Sequence, residues 1–284
     1  MLKKIMILNT FIFTICFSRV LVDSTGRVIE IPENIERVVS TVTSNTEIIV
    51  DMGLVDLLVG VDSYSEKVDK RLSEKGVLRS DDLNEEKIVE LMPDLVISSH
   101  HNLKKGKESL KFFDEVGIPV YVIKNPKSLS EVADSVIEIG EILNKKSEAE
   151  HLKDKFLKEL KEIVSNKNSE DKKVYFEILE NPIYTTGSET FLNDALESVG
   201  GKNIFRDEKG WISPPIESIL EKDPDVILVG EDRKYMVEEI LARDEWQDVN
   251  AIKNKEVYFI DESINRPSPR VLKALKELRE VLDK

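Results

Sequence analysis

The chain has 284 residues, 40% hydrophobic and 34% charged, which supplies a packed core and excludes a disordered polymer. Its net charge of −14 excludes a binder of nucleic-acid phosphates, and it lacks the basic tract of an anionic-membrane binder. One cysteine, Cys16, excludes disulfides, thiolate metal sites and thiol catalysis over the rest of the chain.

The first feature in chain order is an address. Lys3 and Lys4 precede an apolar run, residues 5–17, of signal-peptide length and too short to span a bilayer. Cys16 and Ser18 stand at −3 and −1 to a cut before Arg19. Residues 1–18 are therefore expected to be an export signal, and the mature chain to be periplasmic or otherwise extracytoplasmic. Cys16 is the alternative, as a lipid-anchor site, although Ile15 stands where a lipoprotein signal carries a small residue.

Residues 20–32 alternate around Ser24-Thr25-Gly26 and predict a β-hairpin. Strands are predicted at 37–41, 57–61, 94–98 and 119–123, and again at 173–179, 225–230 and 256–260. Amphipathic stretches between them imply βαβ units and mostly parallel sheets. Ser128 with Glu131, and Ser147 with Glu150, match the capping box. A helix over 147–167 follows from Leu152, Phe156, Leu157, Leu160 and Ile163, and would be about 30 Å long. It separates four predicted strands from three. The fold class is α/β, with two Rossmann-like lobes of mostly parallel sheet joined by one long rigid helix and a ligand cleft between them. The predicted boundaries are 19–145 for the first lobe, 146–168 for the connecting helix and 169–284 for the second lobe.

An internal echo supports two lobes. Residues 86–97, EKIVELMPDLVI, match residues 217–228, ESILEKDPDVIL, in a helix, a Pro-Asp turn and a strand. Glu86 opposes Ile88, Leu91 and Met92 on its helix, so it is expected to point outward. Glu217 occupies the same place in the second copy.

The ordered set VDSTGRVIEIPENIERVVS (22–40), NTEIIVDMG (45–53), NEEKIVELMPDLVI (84–97), NPIYTTG (181–187), AIKNKEVYFI (251–260) and RPSPRVLKAL (266–275) resembles the substrate-binding proteins of ABC importers for cobalamin, haem and ferric siderophores. The VDSYS segment (61–65), NPIYTTG and the spacing from Trp211 to Glu217 look most like the cobalamin-binding branch. The chain departs from that branch at Ser80 and Ser99, where the resemblance implies aromatic residues nearby.

The resemblance implies a protein that captures a corrinoid and hands it to a permease dimer with its ATPase; a haem or ferric-siderophore binder is the alternative. It implies a monomer, with no resident cofactor and no nucleic-acid partner. Tyr64 and Tyr184 sit in loop segments where it places aromatic contacts to a flat macrocycle, and Trp211, in a turn-rich stretch (209–215) with no helical or strand periodicity to bury it, reads as a ligand contact too. Arg266 could reach the ligand's polar rim. His100 and His101 follow a predicted strand, where they could approach a metal centre of the cargo, though a polar loop pair reads as well. Trp246 reads as packing. The resemblance also implies that Glu86 and Glu217 dock on permease arginines. A secreted hydrolase is the distant alternative, and the chain carries no Gly-x-Ser-x-Gly, His-Glu-x-x-His or mature cysteine nucleophile. His100, His101 and His151 lack metal-ligand spacing, so no metal site of the protein's own is expected.

Overall fold

The computed structural model describes residues 18–78, 85–100, 106–165 and 172–284. The apolar run of 5–17 and Cys16 lie outside these residues, as do Ser80 and His101.

The chain enters through a hairpin, β1 (Ser18–Val22) and β2 (Val28–Pro32). Asp23 closes its turn by accepting from the backbone N–H of Thr25 and Arg27. The Arg19 guanidinium donates to the carbonyls of Glu141 and Ile142 at 2.7 and 2.8 Å.

The first lobe then alternates β3 (Val38–Ser40), α1 (Thr43–Asp51), β4 (Leu58–Asp62), β5 (Gly76–Leu78), α2 (Glu85–Glu90), β6 (Leu95–Ser99), α3 (Gly106–Val116) and β7 (Val120–Ile123). Its five strands pair in the order β5-β4-β3-β6-β7, all parallel. Val38, Leu95, Ile97 and Tyr121 pack on the face that carries Ile48 and Ile49 of α1. Val39, Val96, Val120 and Val122 pack on the other face with Ile88 and Phe113. Both faces are covered, which is why these strands read as continuous apolar runs rather than as alternation.

Two helices, α4 (Leu129–Ile142) and α5 (Lys146–Ser165), follow β7. The second lobe adds β8 (Lys172–Glu177), β9 (Leu179–Glu180), β10 (Ile183–Thr186), α6 (Phe191–Ser198), β11 (Gly201–Asn203), β12 (Trp211–Ile212), α7 (Ile216–Lys222), β13 (Val226–Gly230), α8 (Met236–Leu241), α9 (Asn250–Lys253), β14 (Val257–Ile260) and α10 (Val271–Leu282). Its main sheet is parallel, in the order β11-β8-β13-β14, and a small antiparallel sheet runs β12-β10-β9. The strand predicted over 173–179 stops at Glu177, because the chain turns there into the small sheet. The short strands β5 and β9 to β12 carried too few residues to show a period.

The long helix expected between the lobes is α5, and α4 packs beside it on both cores. The first turns of α4 (Leu129, Val132, Ala133) belong to the second lobe's core, and its later turns (Val136, Ile139, Ile142) to the first. Conversely, α5 gives Ala149 and Leu152 to the first core and Phe156 and Ile163 to the second. The two helices touch at Gly140, where a side chain would run into Ala149. The Ser128 cap forms, with Glu131 N donating to Ser128 Oγ at 3.2 Å. Ser147 does not cap α5, which already begins at Lys146.

The echo is a repeat in three dimensions. Asp94 N donates to Arg37 O at 2.8 Å, and Asp225 N to Lys173 O at 2.8 Å. The Asp94 carboxylate accepts from Arg37 N, and that of Asp225 from Lys173 N. Each copy turns through a left-handed residue, Met92 at φ 44° and Asp223 at φ 47°. In each, a basic side chain from the neighbouring strand caps the helix end: Arg37 donates to Leu91 O, and Lys173 to Lys222 O. Met92 lies past the end of α2 and is 71% exposed, not on its buried face. The left-handed turn swings its side chain away from the apolar stripe.

Candidate ligand cleft

The ends of parallel strands decide where a site forms. Arg266, beyond the carboxyl end of β14, reaches Glu47, beyond the carboxyl end of β3. Leu129, where the chain leaves β7 and enters the second lobe's core, donates its N–H to Asp194 Oδ2 at 2.7 Å. The carboxyl edges of the two sheets thus face each other, the usual position for a ligand in open α/β sheets.

A groove of about 780 Å³ runs between the lobes. It is lined by Thr43, Glu47, Tyr64 and Arg266, and by Leu152 and Phe156 of α5. Tyr64 is 70% exposed there. The buried Asp62 at the end of β4 sets its loop, accepting from Tyr64 N at 3.0 Å, from Thr43 Oγ1 at 2.9 Å and from the Ser65 hydroxyl.

Arg266 lines the same groove but is already engaged. Its Nε donates to Glu47 Oε1 at 2.8 Å, and its Nη1 lies 3.2 Å from Glu262. Glu47 is 1% exposed and also accepts from the Ser268 hydroxyl. Burial pushes the Glu47 carboxyl above the usual carboxylate range, against the pull of Arg266, Ser268 and Arg270.

Tyr184 and Trp211 lie together on the small sheet, outside the lining of this groove. Trp211 pairs across the strands with Thr186, so Tyr184 is its diagonal neighbour on the same face. Their rings stack with centroids 6.2 Å apart and an interplanar angle of 17°. Trp211 keeps 48% of its surface open. The three aromatic residues therefore divide into one on the first lobe and a stacked pair on the second, instead of lining one pocket.

His100 is exposed, with Nε2 3.0 Å from Ser24 Oγ of the hairpin turn, and does not line the groove. Trp246 is buried beneath Arg243, whose guanidinium lies 4.7 Å from its ring centre and pairs with the buried Glu177. Glu86 and Glu217 are exposed in the first turns of α2 and α7. No group of metal-ligating side chains is found among the described residues. No helix among them is long and apolar enough to cross a membrane.

Glu47, Asp51 and Asp62 belong to no motif that marks them in the sequence as site residues. The first two carry a signal only in their spacing. Glu47 and Asp51 are four apart on a helix, and Arg266 and Arg270 are four apart across two prolines.

The family described as periplasmic binding protein matches residues 38–264. An uncharacterized ABC transporter substrate-binding lipoprotein of Bacillus subtilis, YvrC, is 32% identical over 267 residues, 91% of this chain and 83% of that protein. A solved Staphylococcus epidermidis protein described as a possible iron-binding (periplasmic solute-binding) protein is similar at 30% identity with a TM-score of 0.79, covering 88% of this chain and 99% of the other. The periplasmic vitamin B12 binding protein BtuF of Vibrio cholerae is similar at 26% identity with a TM-score of 0.74, covering 88% and 97%.

Proposed function

The chain belongs to the periplasmic binding protein family, and from that premise we propose that it captures a corrinoid outside the cytoplasmic membrane and delivers it to an ABC importer. The stacked rings of Tyr184 and Trp211, the latter half open, carry this reading beyond the family. Flat aromatic faces suit a flat macrocycle, because they bury large area at little cost in side-chain freedom. The exposed Tyr64 offers a third ring from the opposite lobe. The similarity to the Vibrio cholerae vitamin B12 binding protein supports the same ligand class.

On this reading the protein is a monomeric carrier and not an enzyme. Residues 1–18 are its export signal, with Cys16 the alternative lipid-anchor site. Residues 19–145 and 169–284 are its lobes on either side of the connecting helix. Glu86 and Glu217 form a two-point clamp on basic loops of the permease, since each stands exposed in the first turn of a matching helix, one per lobe.

An iron complex, haem or a ferric siderophore, is the second reading, favoured by the Staphylococcus epidermidis similarity at 30% identity. Calorimetry with cobalamin, cobinamide, haemin and ferric siderophores, with the spectrum of any coloured co-purifying ligand, separates the two. One-to-one binding of a corrinoid is expected. No heat with corrinoids but saturable haemin or siderophore binding replaces the first reading by the second.

A further inference from the structure

The face of α1 that meets the second lobe repeats every four residues, and so does the segment it meets. Glu47 and Asp51 stand one helical turn apart on α1. Arg266 and Arg270 flank Pro267-Ser268-Pro269. On the first rung, Arg266 Nε and the Ser268 hydroxyl each donate to one oxygen of Glu47. On the second, Arg270 Nε and Nη2 donate to Asp51 at 2.7 to 3.1 Å, and Nη1 donates to Val68 O at 3.1 Å. Ile48 and Ile49 fix α1 in the first lobe's core, while Val271 and Leu272 fix the end of the arginine segment in the second. Every one of these bonds therefore crosses between lobes.

We infer that the Glu47–Arg266 and Asp51–Arg270 pairs form an interlobe latch that sets the opening of the cleft in the empty protein. Both pairs line the groove that α5 also lines, and they tie the lobes through side chains separate from the helical joint. One joint leaves the lobes free to twist about it, and a second, separate tie removes that freedom. Guanidinium groups suit the task because their planar forks accept carboxylates in few orientations. The two prolines fix φ on either side of Ser268 and hold the arginines at one spacing.

The latch sets register more than it adds stability. A buried ion pair often gives little net stability, because stripping water from the charges offsets their attraction. What it does is penalise other arrangements. The same α1 face carries Thr43, bonded to the Asp62 that holds the Tyr64 loop. Tyr64 and the second lobe are thus kept at a set separation before any ligand arrives, which lowers the ordering cost of capture. The inference rests on the two-lobe fold and not on which ligand is carried.

Spin labels on Asp56→Cys and Lys202→Cys, exposed positions in opposite lobes, with Cys16→Ser, read the lobe separation of the unliganded protein. The parent should give one narrow distance distribution. Glu47→Gln with Asp51→Asn should shift it to include a longer-distance population, with no fall in melting temperature. An unchanged distribution in the folded double variant overturns the latch. So does a lowered melting temperature with unchanged distances, which marks the pairs as ordinary packing. Should the double variant not fold, Arg270→Gln cuts the outer, part-exposed rung alone and must give the same shift in lesser degree; no shift there overturns the latch equally.

Discussion

Trp211 and Trp246 differ in what surrounds them, and they should respond differently to truncation. Trp246 is fully buried against Tyr175 and beneath Arg243. Trp246→Ala should cost about 3–5 kcal/mol of stability, measured by denaturant unfolding. Trp211 sits on a two-residue edge strand with half its surface open, so Trp211→Ala should leave the melt nearly unchanged and weaken ligand binding about tenfold, ~1.4 kcal/mol, by calorimetry. Unaltered affinity would remove it from the site. Glu47 carries a pH prediction. Burial raises its carboxyl above the ordinary value of 4.5, and Asp51 pushes the same way, while Arg266, Ser268 and Arg270 oppose. A raised carboxyl binds its proton more tightly folded than unfolded. Its stabilising share is therefore fully present below the unfolded pKa and is lost as pH rises through the folded one. Wild type and Glu47→Gln should unfold alike well below the ordinary value of 4.5 and diverge above it, with wild type becoming the weaker. Parallel stability curves across that range would show that ionised Glu47 carries no such penalty.

At the scale of the element, the two helix–Pro-Asp–strand units show how a weak sequence echo reports a firm geometry. Pro93 and Pro224 cannot continue their helices, and the aspartates after them tie the turn to the neighbouring strand. Asp94→Ala or Asp225→Ala should cost about 1–3 kcal/mol, since each leaves a strand-start N–H without its acceptor; matched thermal melts check this. Ile88 and Ile219 are both fully buried, and Glu86 and Glu217, two residues earlier, are both exposed. Replacing both glutamates by Ala should leave ligand calorimetry unchanged. It should weaken association with the permease by about 1.5–3 kcal/mol per lost charged contact, read by pull-down with the reconstituted importer. Normal association and uptake would reduce them to helix-start acids placed where the helix dipole favours them.

Across the whole molecule, lobe motion should be small. The joint is a helical hairpin whose members each contribute to both cores, and the arginine segment adds a second tie on α1. Wide hinge closure needs a few residues free to absorb large dihedral changes. Here the connection passes through α5, helical from Lys146 to Ser165, backed by α4. Solution scattering with and without ligand should show nearly the same radius of gyration. A large fall on binding would contradict both the stiff joint and the latch.

The sequence by itself determined the longer strands and helices, the parallel α/β class, the helix that joins the lobes and the exposed position of Glu86 and Glu217. Each of these follows from local periodicity, turn chemistry or a repeated motif within a short window. Only the tertiary structure decided that Arg266 faces Glu47, 219 residues away, and that Trp211 stacks on Tyr184 while Tyr64 stands apart. It also decided that α4 shares the joint, because nothing in an amphipathic stripe says which of two cores it will cover. Periodicity records that a face is buried; the partner of that face is chosen by packing between segments far apart in the chain.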